Sequence, residues 1–258
     1  SDGDTIEVGP GTYEEGPIQA ARAKAGLYIT TPNLTIQSTD GAASTIIDVQ
    51  GTGLYNGVEV DTNMGTLTFD GFTVKNFTQD GIKHDYTKKT GTTLHVLNNI
   101  IIPEADYLRN GIEITGDGST AVGNTVYGMP LTPDWGSCGI QVDDASNSEV
   151  RNNTIIGDAT LGVDNGICIA SWDYDIDDVL VQGNTVTNVT SSSIVFSANV
   201  KETTISNVSI LDNDLSSSGK GITFYGAGSG TLTIDESIKI EENKIVADGD
   251  EFFVDAAV

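Results

Sequence analysis

Basic residues are scarce in this 258-residue chain, which has 12 lysines and arginines against 37 aspartates and glutamates and a formal net charge of −25. A charge of this sign and size excludes nucleic acids and anionic membrane surfaces as partners and favours cations. No apolar run approaches the length of a membrane-spanning helix, so we expect no membrane insertion. The chain also opens without a signal-peptide pattern, as a mature or excised chain would.

Aromatic residues are also few, at 7% of the chain, and hydrophobic residues make up 38%. These values are low for a globular β-sandwich. Together with 30 glycines, they suit short stacked strands of Val, Ile and Thr. No segment has the composition of a linker, so we expect a single domain over residues 1–258.

Two series of residues repeat along the chain, with gaps of 24 to 31 residues. The first places Asn or Gly in a polar turn, at Gly71, Asn99, Asn124, Asn153, Asn184, Asn213 and Asn243. The second begins a Gly-Ile-x-Ile pattern or a variant of it, at Gly57, Gly81, Gly111, Gly139, Gly166, Ser193, Gly221 and Glu251. Two locked periods of this length predict an all-β solenoid of about nine coils.

The coil that starts at Gly139 shows the expected layout of every coil. Ile140 and Val142 alternate with a polar residue, which predicts a strand with one face inward. A second strand runs through Val150, a turn follows at Asn153, and a third strand begins at Thr154. Asn suits this turn because it tolerates a left-handed backbone and can hydrogen-bond from coil to coil.

The opening segment Gly3-Asp-Thr-Ile-Glu-Val-Gly-Pro-Gly-Thr-Tyr-Glu-Glu15 and the Gly-Ile-x-Ile series resemble right-handed parallel β-helix proteins of the pectate-lyase-like superfamily. The resemblance covers nearly the whole chain and implies three short strands per coil. The superfamily includes lyases, hydrolases, epimerases, adhesins and surface proteins, so the resemblance leaves the activity open.

The two ends depart from the regular repeat. Within residues 1–50, the N-terminal coils, the Ala-rich segment 16–26 predicts a short capping helix that ends at Gly26. Residues 51–258 form the regular coils, and the last strand, Glu251 to Val258, leaves an open edge. We expect end-to-end self-association or a further domain to cover it.

Polar residues that face outward from the Gly-Ile-x-Ile strands concentrate in the first coils. The catalytic candidates there are Lys83, Asp85, Arg109 and Glu113, and Asp61 and Asp85 are candidate calcium ligands. In the resembling polysaccharide lyases, Ca²⁺ and acidic residues neutralise a uronate carboxylate, and a Lys or Arg removes the neighbouring proton. The alternative is a solvated salt-bridge ladder, because Glu59, Lys83 and Glu113 alternate in sign.

Histidine and cysteine offer little further chemistry. His84 is equivalent to Val60 and should face the core, whereas His95 should face outward alone, so no zinc or copper site is expected. Cys138 and Cys168 differ by three residues in their offset from the repeat glycine, roughly 10 Å along a strand. The sequence therefore predicts no disulfide between them.

The segment 171–178 is a second candidate site. Asp173, Asp175 and Asp177 alternate in it as calcium ligands would, although an acidic solvated turn has the same composition. Trp172 and Tyr174 share this loop, and Trp135 lies in a turn of the preceding coil. These three aromatics are candidates for stacking on sugar rings, or they fold over the sheet to seal it.

Five Asn-x-Ser/Thr sequons are candidate glycosylation sites in an exported glycoprotein, at Asn33, Asn76, Asn152, Asn188 and Asn207. The sequence thus predicts an acidic extracellular or cell-surface β-helix that binds polysaccharide, with calcium as the candidate cofactor. A lyase acting on acidic glycans and a structural module of a surface layer, adhesin or filament are the alternatives.

Overall fold

The structure is a computed structural model. It describes residues 3–16, 18–19, 24–50, 55–84, 91–103, 109–128, 137–157, 163–198, 202–217, 219–226, 231–234 and 237–255. These residues form short β-strands and contain no helix. Among them, accordingly, no helix is long and apolar enough to cross a membrane.

The strands stack into three parallel sheets around one interior, as the alternating sequence pattern predicts. The first sheet contains Thr5–Val8, Thr35–Ser38, Gly65–Asp70, Thr92–Leu97, Thr120–Val122, Ser148–Arg151, Ile176–Gln182, Glu202–Leu211, Thr231–Ile234 and Lys239–Glu241. The second contains Gly11–Glu15, Thr45–Val49, Thr73–Lys75, Ile100–Ile102, Thr125–Tyr127, Thr154–Ile156, the first part of Thr185–Ala198, Asp214–Ser217 and Lys244–Ala247. The third contains Lys24–Ile29, Asn56–Val60, Ile82–His84, Asn110–Ile114, Cys138–Asp143, Val163–Ser171, the second part of Thr185–Ala198, Lys220–Gly226 and Phe252–Asp255.

Each coil contributes one strand level to each sheet, and the path through the first sheet has nine levels in the described part of the chain. The first and last of these coils have a neighbour on one side only. The regular part of the stack is therefore about seven turns, slightly fewer than the nine coils expected. Register follows the repeat, since Ile82 lies opposite both Val58 and Ile112.

The predicted capping helix over 16–26 is wrong for the residues that the structure describes. Ile18–Gln19 is a strand that pairs antiparallel with Lys24–Ile29. Lys24–Ile29 also pairs in parallel with Asn56–Val60, which brings Ile29 opposite Val60 and buries both. Pairing with the next coil places Ala25 and Gly26 in a strand, against the helix expected there.

Apolar columns fill the interior. The first apolar residue of the Gly-Ile-x-Ile pattern is fully buried in seven successive coils, at Val58, Ile82, Ile112, Ile140, Ile167, Ile194 and Ile222. At the C-terminal end the rings of Phe196 and Phe224 stack with their centroids 4.6 Å apart. No single coil could bury these side chains alone, so the stack is the unit of stability.

An asparagine ladder joins the coils at the turn between the first and second sheets. The Asn124 side-chain oxygen accepts hydrogen bonds from the backbone N–H of Asn99 at 2.9 Å and from its side-chain amide at 3.2 Å. The Asn124 amide donates to the carbonyl of Val96 at 2.9 Å. The same three bonds recur at Asn153, Asn184, Asn213 and Asn243.

The residue with the left-handed backbone in these turns is the one directly before the ladder asparagine. The sequence predicts that conformation for the ladder asparagine itself, one position too late. Asn98 and Asn152 have φ of 53° and 54°, whereas Asn99 and Asn153 do not have positive φ. Gly71, with φ of 80°, is therefore the counterpart of Asn98. The ladder selects Asn for its hydrogen bonds, and the preceding position selects residues that tolerate the left-handed region.

The two cysteines form a disulfide, contrary to the sequence prediction, with Cα atoms 6.0 Å apart. The prediction assumed a straight strand. Cys138 does lie opposite Asn165, as the repeat requires, and Gln141 lies opposite Cys168. In three earlier coils, however, the residue before the repeat glycine contacts the residue three positions later. Asn56 and Glu59 show this contact within one coil, at 2.6 Å. The two positions therefore meet on the outer side of the third sheet.

Candidate functional site

The candidate site lies on the outer side of the third sheet, where the residue before the glycine and the residue two after it meet. Lys83 lies opposite Glu59 on one side and Glu113 on the other, as the expected alternation of charge requires. The ladder is not solvated, however, because Glu59, Lys83 and Glu113 are 1%, 6% and 2% exposed. Their charges must be compensated by protein groups.

Asp80 is the centre of this network. Its Oδ2 atom accepts from Lys83 Nζ at 3.1 Å, and its Oδ1 atom accepts from the backbone N–H of Asn110 at 3.1 Å. Its backbone N–H donates to the side-chain oxygen of Asn56 at 3.2 Å. The ion pair is fully enclosed and links three consecutive coils through its hydrogen bonds.

Amide side chains hold the two glutamates. Asn56 donates to Glu59 Oε2 at 2.6 Å, and Asn110 donates to Glu113 Oε2 at 2.8 Å. Both contacts use the three-residue spacing across the repeat glycine. In each case a neutral donor fixes one carboxylate oxygen in place.

Lys83 stays protonated in this setting. Burial alone would lower its pKa, but the carboxylates of Asp80 and Glu113 outweigh burial and raise it above the ordinary value. A lysine in this state donates hydrogen bonds and stabilises negative charge. A general base must first lose its proton, which this setting disfavours, and the catalytic role of Lys83 stays a prediction.

Two buried carboxyl groups lie on the C-terminal side of Lys83. Burial raises the pKa of Glu113, an effect that Lys83 partly offsets, and burial together with the charge of Glu113 raises the pKa of Asp143 well above its usual range. Glu113 Oε1 and Asp143 Oδ1 have no hydrogen-bond partner among the described residues. This pair favours at least one protonated carboxyl group.

His84 faces the interior, as predicted, opposite Val60. Its Nδ1 atom accepts from the backbone N–H of Thr115 at 3.0 Å, which leaves the proton on Nε2. Burial, with a smaller effect of Lys83, lowers the pKa of His84 to about 3. The neutral imidazole is a structural acceptor at the end of the strand.

The aromatic loop is a tight turn anchored by one carboxylate. Asp144 Oδ1 accepts from the backbone N–H groups of Trp172, Asp173 and Tyr174 at 2.8, 3.1 and 3.2 Å. Ser171 Oγ closes the turn by donating to the carbonyl of Tyr174 at 2.8 Å. Trp172 is half-buried, whereas Tyr174 is 38% exposed. The turn therefore presents a phenol ring from a fixed backbone.

This architecture matches a known protein family. The family model described as "Right handed beta helix region" matches residues 36–245, well over half of the chain. The chain belongs to the right-handed β-helix family. The expected right-handed parallel β-helix fold is thereby confirmed. No curated protein matches the sequence of this β-helix protein.

Solved structures similar to this β-helix protein are distant. An alginate lyase from Paenibacillus sp. str. FPU-7 shares 13% identity with a TM-score of 0.46, over 99% of this chain and 93% of its own. The mannuronan C-5 epimerase AlgE6 A-module of Azotobacter vinelandii shares 14% identity with a TM-score of 0.31, over 98% of this chain and 89% of its own. Pectate lyase Pel9A shares 12% identity with a TM-score of 0.41, over 95% of this chain and 70% of its own. Likeness at this level concerns the fold alone.

The β-helix brings together only some of the predicted catalytic and metal-binding residues. Lys83 and Glu113 share the buried network, and exposed Arg109 lies close enough for its charge to lower the pKa of Glu113 slightly. Asp61, at the end of its strand, accepts from the backbone N–H of Thr62 at 2.7 Å. Asp85 and Trp135 lie outside the described residues.

The acidic segment uses its carboxylates to tie two coils together. Asp175 accepts from the backbone N–H of Thr204 at 2.8 Å, and Asp177 accepts from Ser206 and Asn207, each at 2.7 Å. These two hydrogen bonds lower the pKa of Asp177. Within the described ranges, no three His, Cys, Asp or Glu side chains converge as metal ligands. Calcium binding here stays a prediction.

The five sequon asparagines share one backbone state. Asn33, Asn76, Asn152, Asn188 and Asn207 have φ between 52° and 60°, in the left-handed region. Asn76 and Asn207 also donate side-chain hydrogen bonds to Asp48 and Asp177. The turn geometry is a sufficient reason for Asn at these positions, and glycosylation stays a prediction.

Sequence reasoning missed four residues of the site, namely Asn56, Asp80, Asn110 and Asp144. The first three share a visible signal, because each is an Asn or Asp directly before a repeat glycine in consecutive coils. Their position suggested an ordinary turn residue. In the structure they contact Glu59, Lys83 and Glu113, three residues further along the chain.

Proposed function

We propose that this protein is an extracellular or cell-surface β-helix that binds polysaccharide through the turn from Ser171 to Ile176. The observation that supports the proposal is the anchoring of three consecutive N–H groups by Asp144. A turn held in this way presents Tyr174 with little conformational freedom to lose on binding, which favours stacking on a sugar ring.

The chemistry of the buried network favours binding over catalysis by Lys83. A lysine that is 6% exposed and held cationic by Asp80 is not available to remove a proton from a polymer. Its ion pair with Asp80, which is also hydrogen-bonded to Asn56 and Asn110, instead joins three consecutive coils of the third sheet. A rigid sheet is the support that a binding surface needs.

The test is retention of purified protein on immobilised polysaccharides, both neutral and uronate-containing. We expect Tyr174→Ala to weaken retention about five- to tenfold, the scale of one lost aromatic contact. Tyr13→Ala is the matched control, because Tyr13 is 40% exposed and lies in the first coil. Equal retention of wild type and Tyr174→Ala would argue against the turn.

The same preparations distinguish the alternative activities. Formation of an unsaturated product from a uronate polymer, with or without Ca²⁺, would replace the binding proposal by a lyase. Association that increases with concentration in the absence of glycan would instead support the structural module.

A further inference from the structure

The outer face of the second sheet carries a strip of uncharged side chains across four consecutive coils. They form two columns, with Thr125, Thr154 and Thr185 aligned in one and Tyr127, Ile156 and Thr187 in the other. Ile100 and Ile102 extend the columns by one coil. Ile102 and Tyr127 are 37% and 42% exposed, and the remaining six are half-buried. We call these eight residues the neutral strip.

Charges on either side of the neutral strip cancel in pairs. Lys75 contacts Asp48 at 2.8 Å on the N-terminal side, and Lys244 contacts Asp214 at 3.0 Å on the C-terminal side. These four are the charged residues that face outward from the second-sheet strands between Thr45–Val49 and Lys244–Ala247. From Thr45–Val49 to Lys244–Ala247 this face is therefore neutral in a chain of net charge −25, whereas in the first coil Glu14 adds a carboxylate opposite Asp48.

We propose that the neutral strip binds an uncharged polysaccharide chain that lies along the axis of the β-helix. The coils repeat every ~4.8 Å, so the strip offers the same groups at regular intervals to a polymer that also repeats. Threonine hydroxyls match the hydroxyl groups of a neutral sugar, and isoleucine side chains and the Tyr127 ring match its C–H faces. An anionic glycan would be repelled by the surrounding acidic surface.

Size and charge argue against a second copy of the chain as the occupant. Four strands of three residues cover roughly 20 by 10 Å, which is a few hundred Å² and well below the ~800 Å² per partner of a stable protein interface. Two copies that each carry −25 also repel one another.

This inference shares the class of ligand with the proposed function but uses another sheet, so the two can fail separately. The probes are microcrystalline cellulose, insoluble mannan and polygalacturonate, with depletion of protein from solution as the measurement. We expect wild type to bind at least one neutral polymer in a manner insensitive to salt. Tyr127→Ala and Thr154→Asp should each weaken this binding about fivefold or more, with unchanged melting temperatures.

Two controls make the outcome specific. Tyr13→Ala and Thr233→Asp place the same changes on exposed residues outside the strip and should bind as wild type. Tyr174→Ala separates the two surfaces. If this variant keeps part of the binding to a neutral polymer and the double variant Tyr174→Ala/Tyr127→Ala loses it, the remaining binding belongs to the neutral strip. Wild-type binding by both strip variants, or retention on polygalacturonate alone, would overturn the inference. So would a dimer that Thr154→Asp abolishes.

Discussion

Individual charged residues on the third sheet behave unlike their counterparts on an ordinary protein surface. Glu59, Lys83 and Glu113 alternate in sign as a surface ladder would, yet all three are buried. Compensation is complete around Asp80, which pairs with Lys83 and accepts from Asn110. It is incomplete around Glu113 and Asp143, whose pKa values are raised by burial. The carboxyl groups with raised pKa values thus lie at the C-terminal end of the network.

Asp143→Asn should stabilise the protein at neutral and alkaline pH. A carboxyl group with a raised pKa in the folded state binds its proton more tightly there than in the unfolded chain, so stability falls as pH rises above its usual pKa of 3.8. Removing the charge should raise the free energy of unfolding at pH 8 by about 1 kcal/mol or more, with a smaller effect at pH 4.

Urea unfolding of wild type and variant from pH 4 to 8 measures this difference. Glu202→Gln, which neutralises an exposed carboxylate in the eighth coil, should show no such trend. A variant that is less stable than wild type at pH 8 would show that ionised Asp143 is compensated.

At the scale of elements, the asparagine ladder and the repeat glycines set how closely the coils stack. A Cβ atom on Gly81 would lie 2.4 Å from the carbonyl oxygen of Gly111 and 2.7 Å from Ile101 Cγ2. Glycine is needed there because the next coil approaches too closely for any side chain. The Gly-Ile-x-Ile pattern is therefore a packing signature as well as a strand signature.

Asn153→Ala should cost about 2 to 4 kcal/mol in the free energy of unfolding. The change removes the acceptor for two N–H groups of Asn124 and the donor to the carbonyl of Ala121, all of them buried. Asn243→Ala, at the partly exposed end of the same ladder, is the control and should cost clearly less. Chemical denaturation of both variants checks the ranking, and equal losses would contradict it.

At the scale of the molecule, the disulfide ties two coils through the outer side of the third sheet. Cys138 and Cys168 are separated by 30 residues, which is one turn of the solenoid. They pack with Val195 and partly buried Tyr225 in a small apolar cluster outside the main core. The outer column therefore changes from a charged network in the early coils to a covalent and apolar one in the later coils.

Reduction of this disulfide should lower the free energy of unfolding by roughly 3 to 4 kcal/mol, the loss of closure of a loop of this length. The urea midpoint with and without dithiothreitol measures the effect. The double variant Cys138→Ser/Cys168→Ser should match the reduced protein and show no response to dithiothreitol. An unchanged midpoint for wild type under reduction would contradict the prediction.

The sequence by itself determined the fold, because a repeat of Gly-Ile-x-Ile and Asn turns can bury its apolar face only by stacking. It also assigned His84 to the interior, since alternation in a strand decides inside from outside. Only the tertiary structure decided which contacts the side chains on the outer faces of the β-helix make. The residue before the repeat glycine meets the residue two after it, within one coil for Asp80 and Lys83 and between adjacent coils for Cys138 and Cys168. Burial of the third-sheet column and the pairing of charges on either side of the neutral strip depend on contacts between coils, which no local pattern encodes.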